Sequence, residues 1–150
     1  MLSEPHSGWS DFHLNGTQFN YGLSYLDDIA YDWLDQAIHG LETMLPFCVK
    51  GFMEPGRFLC LVSYGECLIL IEDEDKNEVS IEESVKISML DFCKELHSDI
   101  SKHFDGWVNF VDYNSPDFEA KKLELQKLLN RLEELINEKS IYLGPGHVFL

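Results

Sequence analysis

The 150-residue chain carries 27 acidic and 11 basic residues, which gives a formal charge of -16 at pH 7. This charge disfavours binding to nucleic acid or to anionic membrane surfaces, because lysine and arginine supply the affinity in both cases. The hydrophobic content of 45% and the aromatic content of 13% exceed those of disordered chains, so the chain is expected to fold.

The first half of the chain predicts one short strand, one helix and a three-stranded antiparallel meander, after an irregular start. Ser24 and Asp27 form a Ser-x-x-Asp start signal ahead of a helical apolar pattern, and Pro46 ends that pattern. Turn sequences separate the three apolar runs that follow. The predicted bounds are 18–23 for the first strand, 25–45 for the helix, and 47–52, 57–64 and 67–72 for the meander.

The second half predicts two further strands and two helices. Ser88 with Asp91 repeats the capping pattern, and Ser115 precedes a proline at the first helical position. The fourth strand slips out of alternation between Ile81 and Val85. The predicted bounds are 79–88 and 107–113 for the strands and 89–103 and 116–139 for the helices, and the tail 142–150 is expected to add an edge strand or to pack on the core.

Together these elements predict an α+β fold: an antiparallel sheet of four to five strands with about three packed helices, in a single domain over residues 1–150. Nearly continuous apolar runs in the second and third meander strands favour central strands covered on both faces or on most of both. No segment approaches the roughly 18 apolar residues of a membrane span, and the N-terminus lacks an export signal, so a cytoplasmic protein is expected. Its cysteines are then expected to be buried, reduced thiols: Cys48, Cys60, Cys67 and Cys93.

The first predicted helix carries an acidic stripe, and residues 1–49 contain no lysine or arginine. Four carboxylates and one histidine fall within roughly 80° of one another when the helix is wound at about 100° per residue: Asp28, Asp32, Asp35, His39 and Glu42. Each like-charge neighbour pair costs on the order of 0.2–0.5 kcal/mol, so helix stability does not account for the stripe. It is either a partner-facing surface, with Tyr31 as an anchor beside it, or a solvated face.

A second acidic cluster follows the meander and includes Asp73, Glu74 and Asp75. It lacks the mid-loop glycine and the flanking helices of an EF-hand, so calcium binding is not expected. The segment predicts a solvated hairpin or a loop that contacts a basic partner. The chain has no nucleophile elbow and no phosphate-binding glycine loop, and its histidines are scattered. We therefore expect no catalytic residues, no metal and no cofactor, and hence no enzyme.

Two segments resemble small bacterial proteins encoded beside polymorphic toxins. The first is FNYGLSYLDDIAYDWLDQAI from Phe19 to Ile38, and the second is EPGRFLCLV from Glu54 to Val62. In those proteins a Leu-Ser-Tyr-Leu-x-Asp segment leads into an apolar and acidic helix, and a Glu-Pro-Gly turn leads into a strand. The resemblance covers about residues 19–72 and is to immunity proteins of contact-dependent growth inhibition systems. It implies a protein without catalytic residues that binds and blocks the toxin domain of a sister cell's effector, often a basic nuclease.

The expected function is therefore that of an immunity protein, which covers the active-site or nucleic-acid-binding face of a basic toxin domain. Opposite charge accelerates such an association. Two alternatives stay open: a small acidic adaptor or secretion chaperone, which needs an exposed apolar groove, and a hydrolase that uses paired carboxylates. The predicted contact set is Asp28, Tyr31, Asp32, Asp35, Glu42, Asp73, Glu74 and Asp75.

Overall fold

The computed structural model describes residues 1–143, and within them the protein has the predicted α+β architecture. The predicted tail segment lies outside these residues from position 144 onward. In chain order the elements are β1 (Trp9–Phe12), β2 (Tyr21–Ser24), α1 (Ile29–Thr43), β3 (Phe47–Phe52), β4 (Arg57–Val62), β5 (Cys67–Asp73), β6 (Glu78–Val85), α2 (Met89–Lys102), α3 (Phe104–Val108) and α4 (Phe118–Leu143).

The main sheet is a four-stranded antiparallel meander in the order β3-β4-β5-β6. The predicted three-stranded meander is therefore confirmed, and β6 extends it by one strand. The sequence slip in the fourth strand is a register shift, because Ile69 pairs with Glu83 whereas the next residue, Leu70, pairs with Ile81. Glu82 is the extra residue of this bulge, which bends an edge strand in the usual way.

A second, two-stranded sheet at the N-terminus departs from the prediction. Strand β1 forms within the segment expected to be irregular, and it pairs antiparallel with β2. Strand β2 begins at Tyr21 and ends at Ser24, one residue beyond the predicted end. Phe12 of β1 is fully buried and contacts the rings of Trp33 and Phe58. Burial of this one aromatic side chain holds the β1–β2 hairpin on the core. Local sequence signals do not predict such a contact, because Trp33 and Phe58 are distant in the chain.

Helix α1 begins four residues later than predicted, at Ile29. Ser24 is not its cap: it is fully buried at the end of β2. Asp28 takes the N-cap position without a side-chain cap hydrogen bond. At the other end, Met44 adopts a left-handed conformation with φ of 55°, which ends the helix ahead of Pro46.

The strand prediction at 107–113 is wrong. Trp107 and Val108 instead belong to the short helix α3, and both are buried, as is Phe110. Neighbouring positions 107 and 108 cannot both face the core in a strand, where successive side chains alternate. The helix prediction before this segment is confirmed, since the Ser88 hydroxyl accepts a hydrogen bond of 3.0 Å from the amide of Asp91.

The prediction that the central strands are covered on both faces is also wrong. On β4, Phe58, Cys60 and Val62 are fully buried, whereas the alternating residues Leu59 and Leu61 are partly exposed. Helices α1 and α2 lie on the inner face of the sheet, where Phe47 and Phe92 make an edge-to-face contact, and α4 packs on α1 and α2. The layers are therefore sheet, helix pair and outer helix, with the second sheet face uncovered by residues 1–143.

All four cysteines are free thiols. Burial is confirmed for Cys60, Cys67 and Cys93, but Cys48 is exposed on β3 because it alternates with the buried residues Phe47 and Val49.

Candidate protein-binding surface

The acidic stripe on α1 is divided by α4, which packs along part of it. Asp28 is half-buried, and one of its carboxylate oxygens has no hydrogen-bond partner among the described residues. Burial raises the pKa of Asp28 to about 6; Lys121 opposes this shift, while Asp32 and Glu124 add to it. Tyr31 donates a hydrogen bond of 2.7 Å from its hydroxyl to the carbonyl of Lys121. Tyr31 therefore helps to join α1 to α4, and Asp28 is half-buried beside the same junction.

Glu42 is also engaged with α4. Its Oε1 lies 3.2 Å from both Nε and Nη2 of Arg131, which in turn contacts Glu134. Although residues 1–49 contain no lysine or arginine, the stripe has basic neighbours in the fold, because α4 brings Lys121 to one end of it and Arg131 to the other. An exposed pair of this kind contributes about 0–1 kcal/mol, so it neutralises charge more than it stabilises the fold.

Asp32 and Asp35 form the part of the stripe that faces solvent. Both side chains are exposed, and neither makes an ion pair within the salt-bridge distance to any of residues 1–143. Partial desolvation and the charge of Asp27 raise the pKa of Asp32, with Lys50 opposing them. Lys50 itself lies 3.5 Å from Asp27. Free carboxylates are thus concentrated on the side of α1 that lies over the β3 edge of the sheet.

A shallow cavity of about 400 Å³ connects this side of α1 to the uncovered sheet face. Asp32, Asp35 and Gln36 line it from the helix, and Cys48 and Leu59 line it from the strands. It brings two carboxylates together, as the hydrolase alternative requires. Both are exposed, however, whereas a catalytic acid kept protonated near neutral pH is normally enclosed in an apolar pocket.

The second acidic cluster forms the tip of the β5–β6 hairpin. Asp73 accepts hydrogen bonds from the amides of Asp75 and Lys76, so its carboxylate stabilises the turn. Glu74 and Asp75 are exposed and have no ion-pair partner among residues 1–143. Two of the three predicted contact residues here are therefore free to meet a partner, and the third shapes the loop that presents them.

The uncovered sheet face is an apolar surface that the sequence reasoning missed. Direct cross-strand pairing places Leu59 beside Leu70 and Leu70 beside Ile81, and Leu61 beside Leu68. Leu61 is 37% exposed and Ile81 is 66% exposed. The available signal was the alternation within each run: Leu59, Leu61, Leu68 and Leu70 occupy outward positions where a solvated strand would carry polar residues, and only Arg57 and Glu72 at the strand ends are charged. We call this set, with Val79, the outer sheet face: Leu59, Leu61, Leu68, Leu70, Val79 and Ile81.

The two free acidic groups flank the outer sheet face. Asp32 and Asp35 border it at the β3 edge, where Lys50 also lines the cavity, and the hairpin acids lie beyond the ends of β5 and β6. Strands β3 and β6 are separated by three strand spacings of about 4.8 Å, or roughly 14 Å. An ordinary protein interface buries about 800 Å² on each partner, an area roughly 28 Å across, which exceeds this strand separation.

No family model, curated protein or solved structure matches the chain. Within residues 1–143, no helix is both long enough and apolar enough to cross a membrane. In the same residues, no group of three or more histidine, cysteine, aspartate or glutamate side chains is placed to hold a metal ion.

Proposed function

We propose that this is a cytoplasmic bacterial binding protein of the immunity type, which neutralises a basic, nuclease-type toxin domain without catalysis. It acts by covering the active-site or nucleic-acid-binding face of that domain and uses no cofactor. The observation that supports this most directly is the placement of free carboxylates on two separate elements beside one accessible sheet face, namely on α1 at the β3 edge and on the β5–β6 hairpin at the strand ends.

The physical basis is electrostatic competition. A nuclease holds its substrate's phosphates with clustered lysine and arginine side chains, and the condensed charge of the nucleic acid dominates that affinity. A folded protein with a charge of -16 presents carboxylates to the same cations. The opposite fields steer the two proteins together, which raises the association rate well above that of neutral partners.

Within the predicted contact set, the structure distinguishes two kinds of residue. Asp32, Asp35, Glu74 and Asp75 are exposed and unpaired within residues 1–143 and are proposed to meet the partner directly. The other four have positions within the fold: Tyr31 and Glu42 bond to α4, Asp28 is half-buried at the α1–α4 junction, and Asp73 shapes the hairpin turn.

Association kinetics test the proposal. The proposal expects the gene directly upstream to encode a large exported protein, which sequencing of that gene checks first. The probe is then the C-terminal domain of that protein, with its nuclease activity disabled. Wild-type protein should bind it with an association rate that falls as salt is raised. The double variant Asp32→Lys/Asp35→Lys should associate more slowly and depend less on salt, because exposed charges act over a Debye length of about 8 Å at physiological salt.

A matched variant separates local charge from total charge. Glu119→Lys/Glu133→Lys makes the same change in net charge at two exposed positions of α4 that form no ion pair within residues 1–143. It should slow association much less than the α1 variant. Equal slowing by both pairs would show that net charge alone matters and would place the contact away from α1. Absence of any binding by the wild-type protein would remove the proposed function.

The outer sheet face supports a second candidate, the small acidic adaptor or secretion chaperone. Such a protein holds an extended segment of its client against an exposed apolar surface. Hydrogen exchange of the bound partner discriminates between the two functions. An inhibitor leaves the amides of a folded toxin domain protected throughout, whereas a chaperone complex keeps the bound client segment unfolded and unprotected outside the contact.

A further inference from the structure

The outer sheet face lacks the polar composition of a solvated strand surface. Exposed strand positions need only side chains that fit a pleated surface, and threonine serves as well as leucine there. Here Leu59, Leu61, Leu68 and Leu70 occupy four of the six outward positions of the two central strands, and Ile81 continues them on β6. The other two positions hold the ion pair of Arg57 and Glu72. A contiguous apolar patch of this kind on a folded protein marks an interaction surface or an aggregation hazard.

Charge on the rim of this face decides which partner fits. At the β3 edge the cavity that contains Leu59 also contains Asp32 and Asp35. On β6, Glu82 is exposed in the bulge next to Ile81. The acids of the hairpin turn lie just before the start of this strand. An apolar centre inside a polar rim is the usual anatomy of a protein interface. In this case the rim is acidic on both sides.

A second copy of the chain is a poor occupant of this face. Two copies packed face to face would bring acidic rims together, and each carries a charge of -16. Like charges juxtaposed across an interface cost several kcal/mol. Arg57 already contacts Glu72, and Lys50 lies beside Asp27. Lys76 at the hairpin tip forms no ion pair within residues 1–143, but one exposed cation does not offset the carboxylates around it.

We infer that the outer sheet face is the centre of the interface with a folded basic protein, whose own contact surface has an apolar centre ringed by lysine and arginine. This inference rests on the proposed function and deepens it, because it assigns different roles to the two parts of the surface. The flanking carboxylates govern how fast the complex forms. The leucines and Ile81 govern how long it lasts, since desolvated apolar contacts act mainly on dissociation.

The test replaces exposed apolar residues with carboxylates, so that the change in net charge favours association. The variant Leu61→Glu/Ile81→Glu is compared with Leu123→Glu/Ile141→Glu, which makes the same changes at positions 66% and 68% exposed on α4. With the disabled upstream domain as probe, the sheet variant should dissociate at least about tenfold faster, with an association rate within about twofold of wild type. The α4 variant should match wild type.

Further measurements keep the inference open to refutation. Leu61→Thr/Ile81→Thr, which retains strand-forming side chains, should also accelerate dissociation even if the glutamate variant folds poorly. A dissociation rate unchanged in either folded sheet variant, with wild-type binding intact, overturns this inference and leaves the proposed function standing. A wild-type protein that does not bind the basic domain removes both. Sedimentation should show a monomer in the free protein; a dimer that the sheet variant disrupts would assign the face to a second copy instead.

Discussion

Replacing Asp28 with asparagine should stabilise the protein at neutral pH. The carboxylate is half-buried, one of its oxygens lacks a partner within residues 1–143, and burial raises its pKa from 3.8 to about 6. Because the folded-state pKa exceeds the unfolded one, ionisation of Asp28 opposes folding as pH rises from about 4 to about 6. Asparagine keeps the shape and caps a helix equally well, but it carries no charge.

The magnitude follows from the size of the shift. A difference of about two pKa units corresponds to roughly 3 kcal/mol at about 1.4 kcal/mol per unit. The side chain retains appreciable contact with solvent, which screens its charge, so we expect Asp28→Asn to gain about 1–2 kcal/mol above pH 6. Below about pH 4 the carboxyl is protonated in both states, and the gain should vanish.

Urea unfolding at pH 4, 5, 6 and 7.5, followed by tryptophan fluorescence, measures this difference. Other carboxyl groups titrate over the same range in both proteins, so the informative quantity is the difference in unfolding free energy between variant and wild type. Asp35→Asn, at an exposed position of the same helix, is the matched control and should change stability by no more than about 0.5 kcal/mol. A variant that is less stable than wild type at pH 7.5, or a gain that does not depend on pH, would refute the reasoning.

Three further predictions concern packing, hydrogen bonding and thiol chemistry. Gly40→Ala should lower the unfolding free energy by about 1–3 kcal/mol despite the better helix propensity of alanine, because a Cβ there overlaps the buried ring of Phe47. Urea denaturation measures this change, and unchanged stability would mean that the ring moves aside freely. Tyr31→Phe should cost about 1 kcal/mol through loss of the hydrogen bond to the Lys121 carbonyl, and a neutral effect in the same assay would mean that water replaces it. In the native protein Cys48 should react with a thiol reagent first, and the three buried cysteines only on unfolding; a second fast-reacting thiol in the native state would contradict their burial.

Local signals in the sequence were sufficient for most elements. The capping hydroxyl of Ser88 and the turn sequences between the meander strands act within a few residues, so the α+β class and the order of β3, β4 and β5 could be predicted. The same reasoning failed where distant parts of the chain decide. Strand β1 depends on Phe12 meeting Trp33 and Phe58, and the segment after α2 turns helical because adjacent residues, Trp107 and Val108, are both buried.

The candidate surface was predictable only in part, for the same reason. The excess of carboxylates and their position on α1 and the hairpin are properties of the sequence. Whether each carboxylate is free to meet a partner is not a property of the sequence. Glu42 contacts Arg131, which is 89 positions away in the chain, and Asp28 is half-buried beside α4. The packing of α4 on α1 engages Asp28 and Glu42 and leaves Asp32 and Asp35 exposed to solvent.

The sequence by itself therefore determined the charge, the elements and the alternation of each strand, because these are one-dimensional properties that short-range forces act on directly. The tertiary structure decided which apolar side remained open. Alternation shows that a strand has two faces. Apolar residues on both faces of β4 and β5 suggested that both faces were covered. Whether a layer of helices reaches each face depends on how the whole chain packs, and within residues 1–143 the helices lie on one side alone, which leaves Leu61 and Ile81 facing solvent.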